Sequence, residues 1–98
     1  MPAATGDVRS DLQAITTGAR LAIKPVGTEE WVIHNVYHEA DIELHFTDGT
    51  TDILFDIETV AGDIDNRQFH VNATRWIEVK NTNAGTKKIG YDGVLTHT

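Results

Sequence analysis

The strongest pattern in the chain lies between residues 30 and 57, where the order of apolar and polar positions marks out extended strands. In Trp31-Val32-Ile33-His34-Asn35-Val36-Tyr37 nearly every residue is β-branched or aromatic, the composition that fits a pleated, partly buried surface. Apolar groups fall on both of its faces (Trp31, Ile33 and Tyr37 on one, Val32 and Val36 on the other), which predicts a strand covered on two sides. In Asp41-Ile42-Glu43-Leu44-His45-Phe46 apolar and polar residues alternate, and Asp48-Gly49 follows as a turn. Two adjoining β-hairpins are therefore expected here. A two-residue loop at Asp48-Gly49 would set Phe46 opposite Thr51, Leu44 opposite Ile53 and Ile42 opposite Phe55 on one apolar face. The other face would carry His45 opposite Asp52, Glu43 opposite Leu54 and Asp41 opposite Asp56.

The remaining chain reads as further short strands. Residues 19–24 place Leu21 and Ile23 on one side and end at Pro25, which lacks a backbone donor. Residues 60–66 lack periodicity and read as a loop. Residues 67–72 carry Phe69 and Val71, residues 75–80 carry Ile77 and Val79 on one face and Trp76 on the other, and residues 81–85 form a turn. The closing strand starts at residue 86, with a bend or bulge expected at Gly90 and Asp92-Gly93. Residues 1–18 differ, since only Val8, Leu12 and Ile15 are available for burial. Their spacing suits a helix, and Ser10 with Gln13 suits its cap, but an isolated helix this short is marginal in water. The segment is expected to be an arm that orders against a neighbouring subunit. The organisation predicted is an arm over 1–18 and an all-β domain over 19–98. That domain is a small antiparallel β-sandwich, jelly-roll-like or Ig-like, of seven to eight short strands.

Composition narrows the partners. At 98 residues, 40% hydrophobic with 8 glycines, the chain is an ordinary single globular domain. Fifteen acidic against eight basic residues leave a net charge of −7, which argues against a broad basic face for nucleic acid or anionic lipid. With no cysteine, disulfides, thiol catalysis and Cys-type zinc sites are excluded. No apolar run approaches the roughly 20 residues of a membrane span, and residues 1–19 lack the pattern of a signal peptide, so synthesis in the cytosol is expected.

Candidate chemistry is sparse. His34 and His38 on one strand lie about 13 Å apart, too far to share an ion. A cross-strand row of His34, His45 and Asp52 is the one metal candidate, conditional on a two-residue loop at Glu39-Ala40; the competing reading is a solvated polar row. Asp63-Ile64-Asp65 opens like a calcium loop, but Arg67 occupies a ligand position. Ser10, the only serine, has no catalytic setting, and Asn72-Ala73-Thr74 reads as a turn that happens to match a glycosylation sequon. Trp31, Trp76, Tyr37 and Tyr91 could stack on sugars, although core or subunit contact is the first expectation for them. Neither an enzyme nor a cofactor is predicted.

Taken together, Glu30-Trp31-Val32-Ile33-His34-Asn35-Val36-Tyr37-His38, Val79-Lys80-Asn81-Thr82 and Ile89-Gly90-Tyr91-Asp92-Gly93-Val94 resemble small β-rich virion proteins of tailed viruses. The resemblance covers residues 19–98 by pattern. It implies a capsid decoration, cement or other minor head or tail protein at the virion surface, made in the host cytoplasm. It also implies a homo-oligomer, trimer or pentamer, bound to a major capsid or other virion protein. Val8, Leu12 and Ile15 of the arm, with Trp31, Trp76 and Tyr91, are the partner-binding candidates. The alternative is a carbohydrate-binding β-sandwich module using Trp31 or Trp76.

Overall fold

A computed structural model describes residues 4–65 and 67–98. Nine strands are present among them: β1 (Val8–Ile15), β2 (Arg20–Ile23), β3 (Glu30–His38), β4 (Ile42–Thr47), β5 (Asp52–Glu58), β6 (Gly62–Ile64), β7 (Phe69–Asn72), β8 (Trp76–Asn81) and β9 (Lys87–His97). They form two antiparallel sheets, one ordered β1-β9-β3 with β6 and β7 both on the far edge of β3, the other ordered β2-β8-β4-β5.

The chain is a long hairpin wound up on itself. From its tip at Gly49-Thr50, β4 pairs with β5, β3 with β6 and β7, β2 with β8, and β1 with β9. Rolling then adds the pairs β3 with β9 and β4 with β8, which close the two sheets. That is the jelly-roll order, with one of its eight strands split into β6 and β7. The expected sandwich is thus found, in the jelly-roll rather than the Ig-like arrangement.

Inward side chains of both sheets interdigitate in one core. Leu21 and Ile23, Ile33 and Val36, Ile42 and Leu44, Ile77 and Val79, Ile89 and Leu95 are all buried, as face-to-face packing of two sheets requires. The bulge expected in the closing strand falls on its partner instead: β3 carries the extra residue, His34, between Ile33 opposite Gly93 and Asn35 opposite Asp92, while residues 87–94 pair with β1 without a break. A Cβ on Gly93 would stand 2.2 Å from the Val32 carbonyl oxygen, so only glycine permits this approach. The bulge also turns Val36 inward beside Ile33 and leaves Tyr37 outward and exposed. β3 is therefore covered on one face, not two.

Three expectations change at the strand level. Residues 8–15, read as part of an arm, are β1, paired along its whole length with β9 from Val8 opposite Val94 to Ile15 opposite Lys87. Backbone pairing to an otherwise open edge orders this segment, which needs few apolar anchors for the purpose. Gly62–Ile64, read as loop, is a short strand on β3, with Ile64 buried. The β4–β5 register differs as well. Thr47 faces Asp52, Phe46 faces Ile53, His45 faces Leu54, and a bulge between Leu44 and His45 then sets Leu44 against Asp56. The reason is the Asp48 carboxylate, whose Oδ1 accepts from the Thr50 and Thr51 N–H groups at 2.9 and 2.7 Å. This Asx-type turn moves the turn one residue along the chain, to Gly49-Thr50 between Asp48 and Thr51, away from the expected type I′ loop at Asp48-Gly49.

Candidate functional site

Two surfaces meet along β5, the outermost strand of the four-stranded sheet. On the outer face of that sheet lies a polar network. Asp52 Oδ1 accepts from Arg20 at 2.8 Å, and its Oδ2 is 2.7 Å from His45 Nδ1. The other ring nitrogen of His45 is 3.0 Å from Glu43 Oε1. Arg20 also donates to Glu78 at 3.2 Å, and Glu78 Oε2 accepts from the Trp76 indole N–H at 2.9 Å. The guanidinium of Arg20, first, and then His45 hold the Asp52 carboxyl below the usual carboxylate range. Lys24 Nζ sits 4.1 Å over the Trp76 ring centre. Charge and hydrogen bonding thus tie four strands together on this face.

This geometry dismantles the proposed metal row. His34 lies in β3 of the other sheet, because the Glu39-Ala40-Asp41 connection carries the chain across the sandwich instead of turning a hairpin. His34 lines a polar hollow with Asn35, Arg67 and Gln68. His45 and Asp52 do touch, as a diagonal pair rather than a directly opposed one. Glu43 and Asp52 occupy opposite nitrogens of one ring and so do not converge on a common point. Among the described residues no group of three or more His, Asp or Glu side chains is placed to hold a metal ion.

The second surface is apolar. Between the sheets, at the β5 margin, Phe46, Ile53, Phe55, Phe69 and Ile77 line an open cleft of about 330 Å³. Phe55 and Phe69 meet across it with ring centres 5.9 Å apart. The β4–β5 bulge places Leu54 and Ile57 on the opposite face of the same strand, so apolar groups stand exposed on both sides of β5. Asp56, between them, is bonded to Arg67 at 3.0 Å. Among the described residues no strand pairs with the outer edge of β5.

The other partner-binding candidates scatter. Trp31 and Trp76 are each 8% exposed and Tyr91 is buried, Trp31 stacking on Tyr91 at 6.3 Å between ring centres. Neither indole offers an open face to a sugar. Of the β1 anchors, Ile15 joins the core, whereas Val8 and Leu12 are 69% and 70% exposed. On the outer face of the β1-β9-β3 sheet, Leu12, Gly90 and Tyr37 form one row. There Tyr37 donates to Asp92 Oδ2 at 2.6 Å, and the carboxylate pushes its phenol up to about 12. Asp63, opposite Tyr37, has its carboxyl raised by partial burial and by the charges of Asp65 and Asp92. Asn72 of the sequon accepts from the Thr74 and Arg75 N–H groups, and so forms the expected turn.

No family model matches the sequence, and no curated protein matches it. The functional reading rests on the chain's own residues. The β5 margin is the feature that sequence reasoning missed, because the expected register turned Ile53 and Phe55 into a closed core. The signal present was the near-continuous apolar run Ile53-Leu54-Phe55, which fits no one-sided strand.

Proposed function

We propose that this chain is a non-enzymatic structural protein of a virion, a capsid decoration or cement component or another minor head or tail part, which assembles through its β-surfaces. The observation that carries this reading is the open margin of β5, an unpaired strand edge with apolar side chains on both faces. Natural sheets usually shield such edges, and one left open marks a place where another chain adds. The winding order adds support, since jelly rolls recur in viral capsid domains, and so does the resemblance of residues 30–38, 79–82 and 89–94 to virion proteins. Lectin domains also use the jelly roll, so the exposed β5 surface, and not the architecture, distinguishes a structural role. Symmetry multiplies modest contacts on a particle, which suits a chain this small. The test is co-sedimentation of the purified chain with purified virions, followed by electron microscopy of the particles. Ordered density on the particle surface is expected; a chain that never sediments with particles overturns the proposal.

A carbohydrate-binding module is the second reading, and one observation favours it. The Tyr37 ring is exposed beside Gly90, with the exposed Leu12 side chain next to it in the same row. A glycan array with wild type and Tyr37→Ala tests it: signals that vanish in the variant support a sugar site, and silence across the array ends the reading.

A further inference from the structure

The backbone of β5 says what fits its open edge. Asp48 N–H donates to the Thr51 carbonyl at 3.2 Å, which makes that pair a bonded one in the β4–β5 ladder. Bonded and non-bonded pairs alternate in an antiparallel ladder. Thr47–Asp52 and His45–Leu54 are therefore non-bonded pairs, and the N–H and C=O groups of Asp52 and Leu54 point away from β4. An apolar small molecule could fill the neighbouring cleft but would leave these groups unpaired. A β-strand satisfies both requirements.

We infer that the open edge of β5 pairs with β5 of a second copy of this chain, antiparallel, about a two-fold axis through Leu54. This rests on the assembly reading above and names the occupant of its surface. Two-fold interfaces must be self-complementary, and this strand is. Centred on Leu54, the pairing sets Leu54 against Leu54 of the second copy on the outer face and Ile53 against Phe55 on the cleft side. The flanking carboxylates do not collide in this register, because the bulge turns Asp56 to the inner face opposite Leu44 while Asp52 stays on the outer face beside His45, and each is also held by an arginine of its own chain, Arg67 and Arg20. The area also suffices. Phe46, Ile53, Leu54, Phe55 and Ile57 are 36%, 56%, 44%, 40% and 59% exposed. At roughly 200 Å² for a large side chain, they offer about 470 Å² per copy, so a pair comes close to the ~1,000 Å² that a specific interface needs and the backbone and polar area of the paired edges supplies the rest.

The experiment is sedimentation velocity on the full chain from micromolar to hundreds of micromolar, with variants at the axis. Wild type is expected at twice the 10.8 kDa chain mass, or in larger assemblies built from that pair. Leu54→Lys and Leu54→Glu, each alone, place like charges across the axis and should weaken association by about tenfold or more. Their equimolar mixture should restore the pair. Leu54→Cys should give a covalent dimer on mild oxidation. The chain has no other cysteine, and the about 5.5 Å between Cα atoms of a bonded pair lies within disulfide reach. Far-UV circular dichroism should be the same for all variants, because Leu54 faces outward. A chain that stays monomeric throughout overturns the pairing while leaving the virion role to the co-sedimentation test. An oligomer indifferent to both charged variants and to Leu54→Cys oxidation overturns the β5 assignment alone.

Discussion

Asn81 is the buried polar residue on which the closing strands depend, and replacing it offers the sharpest test of the packing described above. The side chain is fully buried. Its Nδ2 donates to the carbonyls of Ile15 and Gly85, both at 2.8 Å, and its Oδ1 accepts from the backbone N–H and side-chain amide of Asn83 at 2.9 and 2.8 Å. One residue thus fastens the end of β1, the β8–β9 turn and, through the bond from Asn83 to the Asp41 carbonyl, the crossing between sheets. Asn81→Ala removes all four bonds. The Ile15 carbonyl loses a partner in a buried setting, which costs about 1–3 kcal/mol; the three part-buried bonds are replaced in part by water and add less. A total of about 2–4 kcal/mol follows, a large share of the 5–15 kcal/mol typical of a domain. At ~4–8 °C per kcal/mol for a domain near this size, the melting temperature should fall by roughly 10–25 °C. Calorimetry gives that number, and urea titration checks it independently. Hydrogen exchange adds the location: amides of β1 should lose protection first, because Ile15 is where β1 is pinned. A drop below about 1 kcal/mol, or unchanged β1 protection, would refute the assignment of Asn81 as this fastening.

Other outcomes follow from single residues. Gly93→Ala should abolish folding, since a Cβ there meets backbone at 2.2 and 2.7 Å, whereas Gly90→Ala, which meets the Asp11 carbonyl at 2.9 Å and Leu12 at 3.1 Å, should chiefly loosen the edge strand β1; circular dichroism and exchange separate the two. Val60 holds φ 59°, a left-handed conformation that costs a β-branched residue about 1–2 kcal/mol, so Val60→Gly or Val60→Asn should raise the melting temperature by a few degrees. The carboxyls of Asp52, held low first by Arg20, and Asp48, held low first by the Thr51 N–H, contribute stability that is present above the ordinary carboxylate range and is lost as pH falls through their lowered folded values. Asp52→Asn should flatten the acid limb of a melting-temperature profile. Asp63 has the opposite sign: its carboxyl is raised in the fold, so it disfavours the native state once ionised, and Asp63→Asn should stabilise at neutral pH and lose that advantage in acid.

The local facts were written in the sequence. Alternation in residues 41–46, the β-branched run at 31–37 and the glycine-bearing turn after Thr47 predicted strands and a hairpin where they occur, because each depends on neighbours a few residues away, whereas the bulge expected in the closing strand fell on β3. Which strands share a sheet was not local. The Glu39-Ala40-Asp41 connection is as short as a hairpin loop yet crosses the sandwich, since burying the inward faces of β3 and β4 against each other removes more apolar surface than laying them side by side. That single crossing separated His34 from His45. The Asx turn at Asp48 and the bulge after Leu44 shifted the hairpin register, and with it the face on which Leu54 and Ile57 emerge. Edge status too belongs to the tertiary structure: the pattern of residues 8–15 is that of a weak segment, and it is a strand because β9 offers it an open edge. β5 has a strong pattern and ends at an open margin, because the winding that begins at its turn leaves no strand among the described residues to lie beside it.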